Sequence, residues 1–205
     1  MLIYGRCCGD WAVDRFRFSG TEGSVLLFRS GGLLVACSAC CVSEEMIRTE
    51  KRLQYANGYL DLGMVKDAKA ELDLIDEKDG SNAEVLSMRV RLYSESHNWK
   101  KVVSVSKQLV EMDSVAVFGW VNWAYALREL ERIAEAKDVA TRGLISNPKE
   151  AVLWFNLACY CSLLGEVEES SNHLDQSIAL EKSFEKEAVD DPDLDKLWAW
   201  LRSNE

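Results

Sequence analysis

Proline is almost missing from this chain of 205 residues: there are two, with only twelve glycines. So few turn formers exclude the short-strand pattern of a sandwich or barrel and leave long uninterrupted helices as the expected structure. Basic residues are outnumbered by acidic ones, 24 against 34, for a formal net charge of −10 and a pI near 4.8. A surface of that sign is a poor grip for phosphate backbones or anionic lipid, so no nucleic-acid partner is expected. Long apolar runs are missing too. Val25-Leu26-Leu27-Phe28 ends at Arg29, and the stretch from Gly31 to Val42 is short and broken by glycine and serine, well under the ~20 residues of a membrane-crossing helix. No transmembrane segment is expected. What is present, 48% hydrophobic and 28% charged residues, suits a cytoplasmic domain with a substantial core.

The equipment of catalysis is equally thin. Histidine occurs only at 97 and 173, and neither has a cysteine or second histidine at a metal-ligand spacing. His173, beside Ser170, Ser171 and Asn172, is expected to be solvated. No G-x-x-x-x-G-K phosphate loop and no G-x-S-x-G elbow occurs. The expectation is therefore no enzyme, no cofactor, no metal and no small-molecule substrate. Seven cysteines cannot all pair within one chain. Cys159 and Cys161, two apart on a helix, point ~200° from each other and read as small apolar residues of a reduced core.

The first 45 residues differ from the rest, holding Cys7, Cys8, Cys37, Cys40 and Cys41. Trp11, Val13, Phe16 and Phe18 suggest one strand and Val25 to Phe28 another, but an isolated hairpin is marginal in water. Residues 1–45 are accordingly expected to be an extension, poorly structured or not native to the protein. Two other roles can be set beside that. Leu34-Val35-Ala36-Cys37 is similar to the lipobox of bacterial lipoproteins, although Asp10, Asp14 and Glu22 spoil a basic leader. Cys37-Ser38-Ala39-Cys40 has the spacing of a redox motif or half a zinc site, but the second pair that a structural zinc needs is missing, since Cys7 and Cys8 are adjacent.

From Met46 onward one pattern recurs at an interval of 34 residues. The helical stripe i, i+3, i+4, i+7 reads Trp154, Leu157, Ala158, Cys161, and one interval earlier Trp120, Trp123, Ala124, Leu127. Two further steps back give Leu86, Arg89, Val90, Tyr93 and Arg52, Tyr55, Ala56, Tyr59. A break follows each stripe, at Gly63, His97, Glu131 and Gly165, and then a second helix. Histidine tolerates the left-handed backbone that such a break requires better than most residues. The small-residue columns Ala56/Val90/Ala124/Ala158 and Ala68/Val102/Ala136/Ser170 mark the places where two helices cross closely. Asp79-Gly80-Ser81-Asn82 and Asn147-Pro148 separate successive copies with turn chemistry.

These four in-phase copies resemble the tetratricopeptide repeat over residues 49–182. The resemblance implies an all-α, right-handed superhelical array of helix-turn-helix hairpins, at about 49–82, 83–116, 117–150 and 151–182, closed by a capping segment at 183–205. The last copy, with Asp191-Pro192-Asp193-Leu194-Asp195 after it, is similar to the end-of-group repeat of bacterial arrays. Leu197, Trp198 and Leu201 would then cover its bare face, as an array needs in order to stay in solution.

The family's function is to hold a peptide or helix of another protein in a concave groove lined by the first helices. Facing away from the packing stripe are Arg91, Phe118, Tyr125, Arg128 and Phe155, with Asn122 and Asn156 one residue beyond, where family members use asparagine to bond a peptide backbone. Aromatic anchors beside polar groups suit a peptide hot spot; packing between neighbouring copies would account for Phe118 and Phe155 equally well. The lysine-rich clamp for acidic chaperone tails is missing, only Asn57 matching. A non-catalytic adaptor is the leading expectation, followed by an envelope lipoprotein anchored through Cys37 and by a redox or metal protein acting through the early cysteines.

Overall fold

The computed structural model describes residues 13–14, 27–30, 33–36 and 48–204. The chain divides into two compact units, Met1–Ile47 and Arg48–Glu205. In the first, β1 (Val13–Asp14), β2 (Leu27–Ser30) and β3 (Leu33–Ala36) pair antiparallel in that order. Val13 lies opposite Phe28, and Phe28 opposite Val35. The third strand goes beyond the expected hairpin. Its signal was the pair Gly31-Gly32 between two apolar runs, the spacing of a two-residue hairpin turn. Cys7, Cys8, Cys37, Cys40 and Cys41, with the lipid-anchor, redox and metal roles assigned to them, lie outside the described residues.

The second unit is an all-α repeat array. Its hairpins are α1 (Thr49–Asp61) with α2 (Val65–Asp73), α3 (Ala83–Glu95) with α4 (Trp99–Met112), α5 (Val117–Glu129) with α6 (Ile133–Ser146), and α7 (Ala151–Leu164) with α8 (Val167–Leu180). Each helix packs on the next, and the first helices α1, α3, α5 and α7 also touch in series. The residues of both small columns are fully buried. Two glycines admit the closest approaches. A Cβ on Gly143 would stand 3.0 Å from Cβ and Cγ of Trp120, and one on Gly119 would stand 2.9 Å from Val110 Cγ2.

The four breaks share one geometry. Gly63, His97, Glu131 and Gly165 have φ of 71°, 51°, 59° and 84°. After each, the next backbone N–H donates to the carbonyl five residues back: Met64 to Tyr59, Asn98 to Tyr93, Arg132 to Leu127 and Glu166 to Cys161, at 2.8 to 2.9 Å. This is the Schellman closure, which satisfies helix-end carbonyls by placing one residue in the left-handed region. The incoming turns are tied alike, as indole Nε1 of Trp120 donates to the Ser114 carbonyl at 2.8 Å and that of Trp154 to the Pro148 carbonyl at 3.0 Å.

The stripe arginines of the first two copies meet partners inside the array, although the buried Arg89 Nε has none among the described residues. Arg52 pairs with Glu71 at 3.0 Å, and Arg89 reaches the Leu72 carbonyl at 3.5 Å.

Beyond α8 come α9 (Ser183–Asp190), a single 3-10 turn (Pro192–Leu194) and α10 (Asp195–Ser203). Leu194 and Leu197 are fully buried, and Trp198 and Leu201 pack partly buried against the same core. The Leu197 N–H donates to Ser162 Oγ at 3.3 Å and Trp198 Nε1 to the Ala188 carbonyl at 3.0 Å. The segment packs on both α7 and α8.

Candidate interaction groove

The seven candidate groove residues separate into two groups. Arg91, Phe118 and Asn122 line one groove of about 550 Å³ between α3 and α5, together with Met88, Glu84, Ser87, Ser94 and Glu95. Met88 and Phe118 supply its apolar part, and Phe118 is 45% exposed. An aromatic ring this open, beside the apolar Met88 side chain, offers a partner apolar area to bury. Asn122 Nδ2 donates to the Phe118 carbonyl at 2.9 Å within α5, which uses one of its two amide hydrogens. Arg91 is held by the preceding copy, donating to Asn57 Oδ1 at 2.5 Å and Asp61 Oδ1 at 2.6 Å. That ion pair is solvent-exposed on both sides, so it exchanges at little cost.

Tyr125, Arg128, Phe155 and Asn156 do not line this groove. Tyr125 is exposed, and its ring meets Trp99 edge-on at 5.7 Å. Phe155 is only 7% exposed and stacks on Phe184 of α9 with centroids 4.8 Å apart, so packing is its role in this fold. The guanidinium of Arg128 is taken by Asp193 of the 3-10 turn, with Nε to Oδ2 at 2.8 Å, and by Glu129 at 2.8 Å. Those bonds hold Arg128 far above its ordinary range. Asn156 is half-buried on α7. The chain's own carboxy-terminal segment therefore covers the face where the fourth copy was expected to receive a ligand. The sequence carried a signal for this in the acidic Asp191-Pro192-Asp193 turn, whose natural complement is an arginine, here Arg128 on α5, 65 residues back along the chain.

Beneath that segment, burial and then the neighbouring Asp191 push the Cys159 thiol far up, and burial does the same to the Tyr160 hydroxyl. Cys159 Sγ lies 3.7 Å from Asp191 Oδ2, and both late cysteines are free thiols. A thiol placed as Cys159 is, with its proton held so firmly, a poor nucleophile.

A second polar cluster lies on the opposite helices of the last two copies. Lys137 of α6 bridges Glu166 at 2.6 Å and Glu169 at 2.7 Å. Burial opposes its charge, but the hydrogen bonds that the ammonium donates to the two carboxylates outweigh this and hold it above its usual range. His173 is half-buried rather than solvated, its ring 5.4 Å from that of Trp154, and burial lowers its pKa. Spacing along the chain hid this neighbourhood, because Cys161 and His173 are brought together only by the turn at Gly165.

No family model matches the chain. Among curated proteins it is 40% identical to protein FlbA of Caulobacter vibrioides over 70 residues, 34% of this chain and 12% of FlbA. The chain thus spans a small fraction of that relative. Solved structures similar to it include MamA of MSR-1 (21% identity, 65% of this chain and 77% of that one, TM-score 0.57) and MamA of Desulfovibrio magneticus RS-1 (12%, 65% and 75%, 0.58). The tetratricopeptide-repeat protein TTC0263 of Thermus thermophilus matches at 19% identity over 73% of this chain and 86% of its own, with TM-score 0.57. Four 34-residue hairpins closed by the same left-handed turn, superposing on such structures, make the chain from Arg48 onward a tetratricopeptide-repeat array in fold.

Proposed function

We propose that this chain is a non-catalytic scaffold that holds a segment of a partner protein in the groove between α3 and α5, acting in the cytoplasm. The observation that carries the proposal is the exposed Phe118 ring beside Met88, flanked by Glu84, Glu95 and the Asn122 amide. An apolar side chain of the partner would cover Phe118 and Met88, Asn122 would bond the partner's backbone, and the rim carboxylates favour a segment bearing lysine or arginine. The last copy then serves as the terminal repeat, with the aspartate-proline turn sealing it.

A photo-crosslinking amino acid placed at Phe118, in extracts of the native host, is expected to capture a discrete protein. The same probe at Ile145, 80% exposed on α6, controls for random contact. Phe118→Ala and Asn122→Ala are expected to weaken the captured complex with helix content intact, whereas Asn156→Ala leaves it unchanged. Equal capture from both positions, or equal loss from Asn122→Ala and Asn156→Ala, refutes the groove.

A further inference from the structure

We propose that Cys161, Glu169 and His173 form a binding site for one divalent ion of the zinc class at the junction of α6, α7 and α8. One donor atom from each lies within 4.8 Å of the others, and Cys161 Sγ is 3.9 Å from Glu169 Oε2. A tetrahedral zinc ion spaces its donors about 3.5 Å apart, so side-chain adjustment of about an ångström would close the site. Glu169 and His173 are four residues apart on α8 and share a face, while α7 brings Cys161 from beneath. Thiolate, carboxylate and neutral imidazole together balance the ion's charge, the combination a partly buried metal requires.

Comparison of the copies shows that the fold does not demand these residues. At intervals of 34, Cys161 corresponds to Leu127, Tyr93 and Tyr59, Glu169 to Glu135, Lys101 and Asp67, and His173 to Val139, Val105 and Glu71. Ordinary packing serves the first three copies; only the fourth assembles a sulfur, an oxygen and a nitrogen donor.

Lys137 is the competing cation. It is bonded to both Glu166 and Glu169, so an ion that takes Glu169 leaves the ammonium paired with Glu166. Binding expels the Cys161 thiol proton to solvent and breaks the Lys137–Glu169 bond.

The test uses the full chain with Cys7, Cys8, Cys37, Cys40 and Cys41 changed to serine, reduced, and titrated with Co²⁺. The expected result is one equivalent bound, a thiolate-to-cobalt charge-transfer band and its displacement by Zn²⁺. Cys161→Ser is expected to abolish the band and His173→Gln to weaken binding at least about tenfold, with helix content unchanged by circular dichroism. Lys137→Gln is expected to tighten binding about tenfold or more, because a like charge a few ångströms away is removed. No band in the serine background, a band that survives Cys161→Ser through Cys159, or Lys137→Gln binding no tighter overturns the proposal.

Discussion

Glu131→Gly is the substitution that most directly probes how the hairpins close. Glu131 is exposed and holds φ of 59°, a conformation in which an L residue is penalised by ~1–2 kcal/mol. Glycine removes that penalty but adds ~0.5–1 kcal/mol of backbone entropy in the unfolded chain. The net gain is therefore about 0.5–1 kcal/mol, or ~2–3 °C in melting temperature for an array of this size. Glu131→Ala keeps the Cβ and is expected to gain nothing, which separates backbone strain from loss of the side chain. Gly165→Ala is the mirror experiment. No atom lies within 4 Å of the added Cβ, so its expected loss of about 1 kcal/mol comes from φ alone. His97→Gly is expected to gain less than Glu131→Gly, since His97 also meets Trp99 edge-on at 5.5 Å. Thermal circular dichroism reads the overall change, and hydrogen exchange at Arg132 and Glu166 reads the local one, because repeat arrays need not unfold as one unit. A Glu131→Gly protein no more stable than Glu131→Ala, or a neutral Gly165→Ala, would refute the reasoning.

Gly143→Ala presses a methyl group against the Trp120 side chain at 3.0 Å and is expected to cost ~1–3 kcal/mol in urea unfolding; a neutral result would mean that α5 and α6 separate freely. Tyr160→Phe is expected to leave stability unchanged or raise it by up to ~1 kcal/mol, because the buried Tyr160 hydroxyl has no hydrogen-bond partner among the described residues. A clear loss would reveal a partner for that oxygen. His173, facing Glu166, Glu169, Lys137 and the Trp154 ring, has a folded pKa below its ordinary 6.5. The unfolded chain therefore takes up the proton first, and stability falls as pH drops through 6.5 toward the folded value, then levels. His173→Gln is expected to flatten that segment of the stability–pH curve, and an unchanged slope would remove His173 as its source.

The array was legible because its determinants are local and periodic. The 34-residue interval, the small columns and the break positions each follow from what one hairpin needs, and His97 at a left-handed turn could be read from its place at the break together with its residue type. Glycines 119 and 143 escaped notice because their need for smallness comes from a neighbouring helix rather than from their own turn. The groove was half legible. Arg91, Phe118 and Asn122 follow from helical facing, but facing says nothing about what the end of the chain does, and Phe155 and Arg128 are engaged by Phe184 and Asp193 from 29 and 65 residues away. The Cys161–Glu169–His173 cluster was invisible to motif spacing for the same reason. It could have been found by asking which copy departs from its own columns.

Because Phe184 lies on Phe155 and Asp193 on Arg128, the carboxy-terminal segment sets a ruler for any guest of the open face. Only the first helices α1, α3 and α5 remain available along it, and adjacent helix axes lie about 10 Å apart. That leaves a track of roughly 20 Å, which an extended strand rising about 3.3 Å per residue fills with about six residues. A partner would be recognised through a short stretch of its chain, and lengthening that stretch past the third copy would meet the folded tail instead of a receptive surface.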